Sequence, residues 1–368
     1  LEIALTAPGG KASFRGRASV APEAQGQIAL DIADTAALTR ALGLSALDLP
    51  KGLGRDATLE GAMTFTRDGT LSLRETAVAS GPNRAALAAD VTTSGKRPRV
   101  KAQIVAEGLD LTAVTASDGA PAPASPSSGW STAPIDASAL AAIDGEISLT
   151  RLGATRATVT IDNARAVTEL REVQAFGGTL SGEFVANNRN GLSVGGDLSA
   201  KGIALKQMLG ELAGIERFTG EAAARIKFLG VGQSTAAIMN SLSGSGGIDT
   251  GRGTISGLDL DRLFRGGDPT GGTTIFDATN ATFTLDKGVL SNNDLLMKLA
   301  GIEARGEGSI GLGKRDIDYL FTPVSLQARD GRGLALPVKI RGPWASPRIT
   351  VDVEKAIQLN ASEEKAKV

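Results

Sequence analysis

Three residue patterns in this chain have the types and spacing that chemistry could use. Gly306-Glu307-Gly308-Ser309-Ile310-Gly311 matches G-x-G-x-x-G, the turn that brings backbone N–H groups to a dinucleotide phosphate. That use needs a strand, a turn and then a helix whose N-terminus meets the anion. Here the glycines sit inside an alternating run with no helix after it, so close backbone approach or a bulge is the better reading. Asp259-Leu260-Asp261 and Asp316-Ile317-Asp318 offer paired carboxylates, which acid–base or metal work would require to converge with further ligands. The first pair stands where helix-capping acids belong and the second flanks a turn, so both read as surface acids. Ser362 and Lys365 have S-x-x-K spacing but fall in the charged segment 355–368, expected to fray. With no His and no Cys, the Ser-His-Asp, Cys-His and His-metal sets are impossible. No catalytic residue, metal ligand or cofactor site is assigned, and the chain reads as a non-enzyme.

The elements around these patterns carry the message. Ile302, Ala304, Gly306, Gly308, Ile310 and Leu312 alternate with Glu303, Arg305, Glu307, Ser309 and Gly311. After a turn at 313–316 the pattern resumes, with Ile317, Tyr319 and Phe321 on one side and Asp318 on the other. A period of two means β-strands with one apolar and one wet face. The same signature recurs at Met63/Phe65, Leu71/Leu73, Val100/Ala102/Ile104/Ala106, Ala157/Val159/Ile161, Ala224/Ile226/Phe228 and Ile349/Val351/Val353. Short helices are expected at Thr35 to Leu42 behind Asp34, along the Leu205, Met208, Leu209, Leu212 stripe, at Thr235 to Leu242 behind Ser234, and around Leu260, Leu263 and Phe264. Each is too short to stand alone and must dock on the sheet. Gly16 to Phe65 and Gly182 to Phe228 share one order of elements, a faint internal repeat: hairpin, strand, short Leu-rich helix, then a strand opened by Gly61 or Gly220.

Composition agrees. Among 368 residues there are 47 Gly and only 10 Phe, 2 Trp and 1 Tyr, so apolar volume comes from Ala, Leu, Val and Ile, as suits many short strands. The 39 basic and 40 acidic residues nearly cancel and form no basic stripe, which argues against a nucleic-acid partner. No apolar run is long enough to span a bilayer. The Ala/Pro/Ser-rich stretch 115–134 reads as a flexible linker or loop. It separates an upstream β region, 1–114, from a longer one, 135–354. The fold class is mainly β: a long curved antiparallel sheet forming an open apolar groove, with a few short docked helices.

From Gly129 onward the chain resembles the C-terminal region of the bacterial AsmA family. The resemblance rests on Trp130-Ser131-Thr132-Ala133-Pro134-Ile135-Asp136 with Leu140, on Gly177-Gly178-Thr179-Leu180-Ser181-Gly182, and on Gly230-Val231-Gly232-Gln233-Ser234. Thr282-Phe283-Thr284-Leu285-Asp286-Lys287-Gly288-Val289-Leu290 follows, then Gly306-Glu307-Gly308, Asp318-Tyr319, and Leu336-Pro337-Val338-Lys339-Ile340-Arg341-Gly342-Pro343-Trp344 with Pro347. Leu42-Gly43, Leu49-Pro50 and Gly81-Pro82-Asn83 extend it upstream. The resemblance implies kinship with the TamB-like and YhdP-like β-groove envelope proteins. It also implies a periplasmic location on the inner membrane through an upstream transmembrane helix, and partners among phospholipids and outer-membrane or envelope proteins. A role in outer-membrane biogenesis follows, either by shielding acyl chains in transit or as a closed-core scaffold for outer-membrane protein assembly. The groove is expected to be built by Phe283, Leu285, Val289, Ile302, Ala304, Ile310, Leu312, Ile317, Tyr319 and Phe321.

Overall fold

A computed structural model describes residues 1–41, 43, 54–106, 129–152, 155–326 and 334–365. Most of the Ala/Pro/Ser-rich stretch, 115–128, lies outside them. Strand makes up 63% of the described residues, so the mainly β expectation holds. The chain divides into two compact units, the first formed by Leu1–Pro123, Asp136–Val173 and Glu183–Leu192, the second by Ala124–Ile135, Gln174–Gly182 and Ser193–Val368.

The first unit is a meander of β1 (Glu2–Ala7), β2 (Gly10–Ala18), β3 (Ala24–Ile32), β4 (Ala57–Phe65), β5 (Thr70–Ser80), β6 (Asn83–Thr92), β7 (Arg99–Ala106), β8 (Asp144–Leu152), β9 (Thr155–Asp162) and β10 (Arg165–Ala175). Each strand pairs with the next. All of these pairings are antiparallel except β7–β8, which is parallel. A parallel pair cannot be closed by a tight turn, and in sequence 37 residues, 107–143, separate β7 from β8. Helix α1 (Thr35–Ala41) follows β3; Asp34 caps it, its carboxylate accepting from the Ala37 N–H at 3.0 Å.

Between the units runs β11 (Gly178–Asn187) in sequence. The second unit then contains β12 (Ser193–Ala204), α2 (Leu205–Ala213), β13 (Phe218–Val231), α3 (Thr235–Ser241), β14 (Ser243–Leu258), α4 (Leu260–Gly266), β15 (Thr270–Phe276), β16 (Ala278–Asp286), β17 (Val289–Leu299), β18 (Ile302–Gly311), β19 (Asp316–Ser325), β20 (Leu334–Ala335), β21 (Val338–Pro343), β22 (Arg348–Val351) and α5 (Val353–Lys365). Among the described residues its strand pairings are antiparallel, and the long β14 gives one half to β15 and the other to β16. Ser234 caps α3 and Asp259 caps α4, each side chain accepting a backbone N–H. In both halves a strand, a short helix and an antiparallel strand follow one another: β3-α1-β4 and β12-α2-β13.

Two expectations change. The segment expected to fray from residue 355 is helical to Lys365. Asp352 caps it, and the Asn360 side chain bonds both the N–H and C=O of Ala335 at 3.0 and 2.9 Å, replacing lost strand pairing. The segment 129–134 is also fastened where described. Trp130 donates its indole N–H to Leu312 O at 2.6 Å and meets Trp344 edge-on at 6.2 Å, with the Arg315 guanidinium 5.1 and 5.3 Å from the two rings. Two motifs far apart in sequence therefore close one aromatic–cation cluster within the second unit.

Candidate apolar binding face

In the first unit the register stacks apolar residues into rows that cross the strands. One row is Leu5, Ala12, Leu30, Leu59, Val78, Ala85 and Ala106. A second runs Ile3, Phe14, Ile28 and, past a bulge in β5, Thr76, Leu87, Ile104, Leu149, Ala157 and Leu170. A third joins Met63, Leu73, Ala89, Ala102, Ile147, Val159 and Thr168. All share one face, because partners in register point the same way. The opposite face carries the ions, among them Arg15–Glu2 at 2.8 Å and Arg74–Asp90 at 2.7 Å. Ser72 and Arg74 donate hydrogen bonds that hold the Asp90 carboxyl below its ordinary range. At the bulge, Gly61 is required: a Cβ there would sit 2.3 Å from Thr76 Oγ1.

Among the described residues of this unit, no second layer seals the rows. Phe14, Ile28, Leu30, Leu59, Met63, Leu73, Leu87, Ile104, Ile147 and Leu149 are all only half-buried. Its buried apolar residues are Ala89, Ala106, Ala164, Ala166 and Leu192, and α1 buries only Thr35. A hollow of about 1340 Å³ follows the first row from β1 to β7. Leucine, valine and alanine dominate its lining, with Lys11, Asp31, Glu60, Glu75 and Arg84 the charged members.

The residues expected to form the groove lie in the second unit. Register does place Phe283, Leu285, Ile302, Ala304, Ile310, Ile317, Tyr319 and Phe321 on one face, and Leu312 extends its parity. Val289 is the exception: it pairs with Asp286 and Gly311, points to the wet face and is 38% exposed, while Leu290 takes the inward place. The shared face is covered. Ala304 (0% exposed), Phe321 (5%), Tyr319 and Met297 pack with Ile255, Leu258, Leu260, Leu263, Phe276 and Val338, so α4 and its flanking strands supply a lid of protein. Ile302 and Ile317 pack against that cluster half-buried, and Leu285 is buried. Phe283, Ile310 and Leu312 remain half-buried.

The G-x-G-x-x-G glycines lie inside β18 as expected. A Cβ on Gly306 would come within 2.7 Å of Tyr319 Cε1, so the glycine makes room for the ring. The buried Tyr319 hydroxyl donates to Asn292 Oδ1, and burial pushes its ionisation well up, so the phenol stays neutral. Asn292 donates in turn to Thr282 O and Asp294, both at 2.7 Å. The second unit's largest hollow among those described, about 820 Å³, has Asp197, Arg225, Lys227, Thr284 and Ser291 on its walls together with Phe283. Of the acid pairs, Asp259 caps a helix and Asp318 binds Arg341 at 2.8 Å. Among the described residues no three His, Cys, Asp or Glu gather as a metal site, and no helix is long and apolar enough to cross a membrane.

The rows of the first unit were missed as a site although their strands were legible. The signal was the recurrence of the same alternation from Met63/Phe65 to Val100–Ala106, which marks an apolar face in this unit as clearly as in the second. A family model, the AsmA family, matches residues 70–295 of the chain. No curated protein and no solved structure matches.

Proposed function

The chain belongs to the AsmA family, an envelope-associated and generally non-enzymatic family, and on that premise we propose that the open apolar rows of its first unit shield phospholipid acyl chains during transfer between the inner and outer membranes. One observation carries this reading: the large aliphatic side chains of β2–β9 share a face and stay half-buried, with no protein layer over them among the described residues. A sheet with one apolar face must bury it against something. An acyl chain is the right guest, because exposing a 16-carbon tail to water costs on the order of 10 kcal/mol at about 0.8 kcal/mol per CH₂. Strands lie about 4.8 Å apart, so an extended tail of roughly 20 Å crosses about four of them. The hollow crosses seven. No bond is made or broken, so the proposal needs no catalytic residue and no cofactor. Location in the periplasm, held to the inner membrane by an upstream helix, belongs to the same proposal.

A photo-crosslinking side chain at Leu59 or Leu87 tests it. Incubated with phospholipid vesicles, both positions are expected to capture lipid, and the same group at Ile317 in the second unit to capture protein only. Capture of protein alone at Leu59 and Leu87 would overturn the reading. A closed-core scaffold role suits the second unit, whose apolar face is already filled.

A further inference from the structure

The wet face of the second unit changes character in its middle. Register makes Asp197, Lys227, Ser245, Thr284, Ser291 and Ser309 successive partners across six strands, and the next in line is Asp318, paired with Arg341 at 2.8 Å. Partners in register point the same way, so four hydroxyls stand in one row with charges at both ends. Over Ser245, Thr284 and Ser291 lies the hollow of about 820 Å³. Gly247, between Arg225 and Thr282 on the same face, has no side chain to fill it. Among the described residues no protein group bonds the side chains of Ser245, Thr284, Ser291 or Asn293, and Lys227 donates no hydrogen bond. The groups beside them are engaged. Thr282 and Asn292 donate to Asp294 at 2.9 and 2.7 Å, and Arg225 takes both oxygens of Asp197 at 3.2 and 3.1 Å. We propose that this hollow binds an oligosaccharide, laid across the strands along the row of hydroxyls.

The chemistry of the walls selects that class. Ser and Thr hydroxyls and the Asn amide both donate and accept, whereas a phosphate or carboxylate only accepts. Lys227 and Arg225 are balanced by Asp197 and by Asp294 behind Thr282, so the walls hold no surplus of cations for an anion. Among the described residues no three acids gather for a metal ion. An apolar guest would cover the unbonded hydroxyls without replacing their hydrogen bonds to water, which is costly. Sugar hydroxyls give and take hydrogen bonds as the walls do. The bare backbone at Gly246 and Gly247 lets a ring approach closely. Length points the same way: four strands at about 4.8 Å spacing make a line about 14 Å long, more than one sugar ring fills. The site is on the wet face of the other unit, so the inference stands apart from the acyl-chain reading.

The test is a residue-resolved amide shift titration of the whole chain with maltotriose, cellotriose and chitotriose, and with inorganic phosphate. At least one trisaccharide is expected to give saturable shifts at Ser245, Thr284 and Ser291. Its monosaccharide should bind at least about tenfold more weakly, a difference of about 1.4 kcal/mol. Phosphate should leave those amides unmoved. Thr284→Val keeps the size and strand preference of the residue and removes its hydroxyl, so it should fold as the parent does and weaken the trisaccharide about fivefold. Gly247→Val, whose Cβ would come no nearer than 3.2 Å to Ala281 O, fills the hollow and should abolish binding. No saturable shift with any of the three sugars, equal binding by the monosaccharide, or unchanged affinity in Thr284→Val would each overturn the proposal. Phosphate shifting the same amides would assign the hollow to an anion and overturn it too.

Discussion

The two units use the same strand chemistry to opposite ends. In the second, a face of Ile, Leu, Tyr and Phe is closed by α4, β15 and the end of β14, leaving Ala304 without exposure and Leu263 nearly so. In the first, an equally continuous apolar face finds no such cover among the described residues, and the leucines and isoleucines of β3–β8 on it stay half-buried. Apolar alternation states that a face must be covered, and leaves open whether protein or a guest covers it. In the second unit part of that cover comes from the stretch after β14, where the chain makes α4 and β15 before β16 returns to pair with β14.

The sharpest way to break this contrast is to place a carboxylate on each face. Ala304→Asp should destabilise the second unit by at least about 3 kcal/mol, because an unpaired charge would be buried. Leu59→Asp should leave urea unfolding within about 1.5 kcal/mol of the parent, since that position keeps contact with water, and should abolish lipid crosslinking at Leu87. Similar losses for both variants, read from urea midpoints, would mean the first face is sealed after all. Truncations sharpen the same point. Phe321→Ala should lose about 3–5 kcal/mol, as buried aromatics do, and Leu73→Ala nearer about 1 kcal/mol for half the buried area.

Smaller still is Tyr319→Phe, which leaves the Asn292 carbonyl oxygen without its donor inside the core and should cost about 1–2 kcal/mol. The smallest effect is acid sensitivity. Hydrogen bonds from Thr282 hold the Asp294 carboxyl low, and Lys339 does the same for Asp352. Their folded values lie below the unfolded ones, so their stabilisation is complete above the ordinary carboxylate range and is lost as pH falls through the folded values. Thermal midpoints measured from pH 6 downward should decline only below about pH 4, the unperturbed carboxylate range. Asp294→Asn should shallow that decline.

Much of this was legible in the residues. Alternation located the strands, including Ile302–Gly311 and Val100–Ala106, and Asp34, Ser234 and Asp259 announced three helix starts through the hydrogen bonds such side chains make. The interior placement of the Gly306 and Gly308 motif followed from the missing helix after it. Less was legible wherever one residue of offset changes the outcome. Val289 looked like a member of the apolar row, yet the turn before it puts Leu290 inward, and a slip of one reverses every side chain. The parallel β7–β8 pairing, and with it the inclusion of 136–173 in the first unit, depends on a crossover that no local pattern encodes.

What the order of residues determined by itself is which side of each strand is apolar, since that follows from a period of two and from chemistry within a few neighbours. Whether an apolar side meets protein or stays open was decided only in three dimensions. Leu260, Leu263 and Phe276 lie far along the chain from Phe321 and Val338, and only long-range packing brings them over that face. Nothing comparable among the described residues returns over Leu30, Leu59 and Leu87.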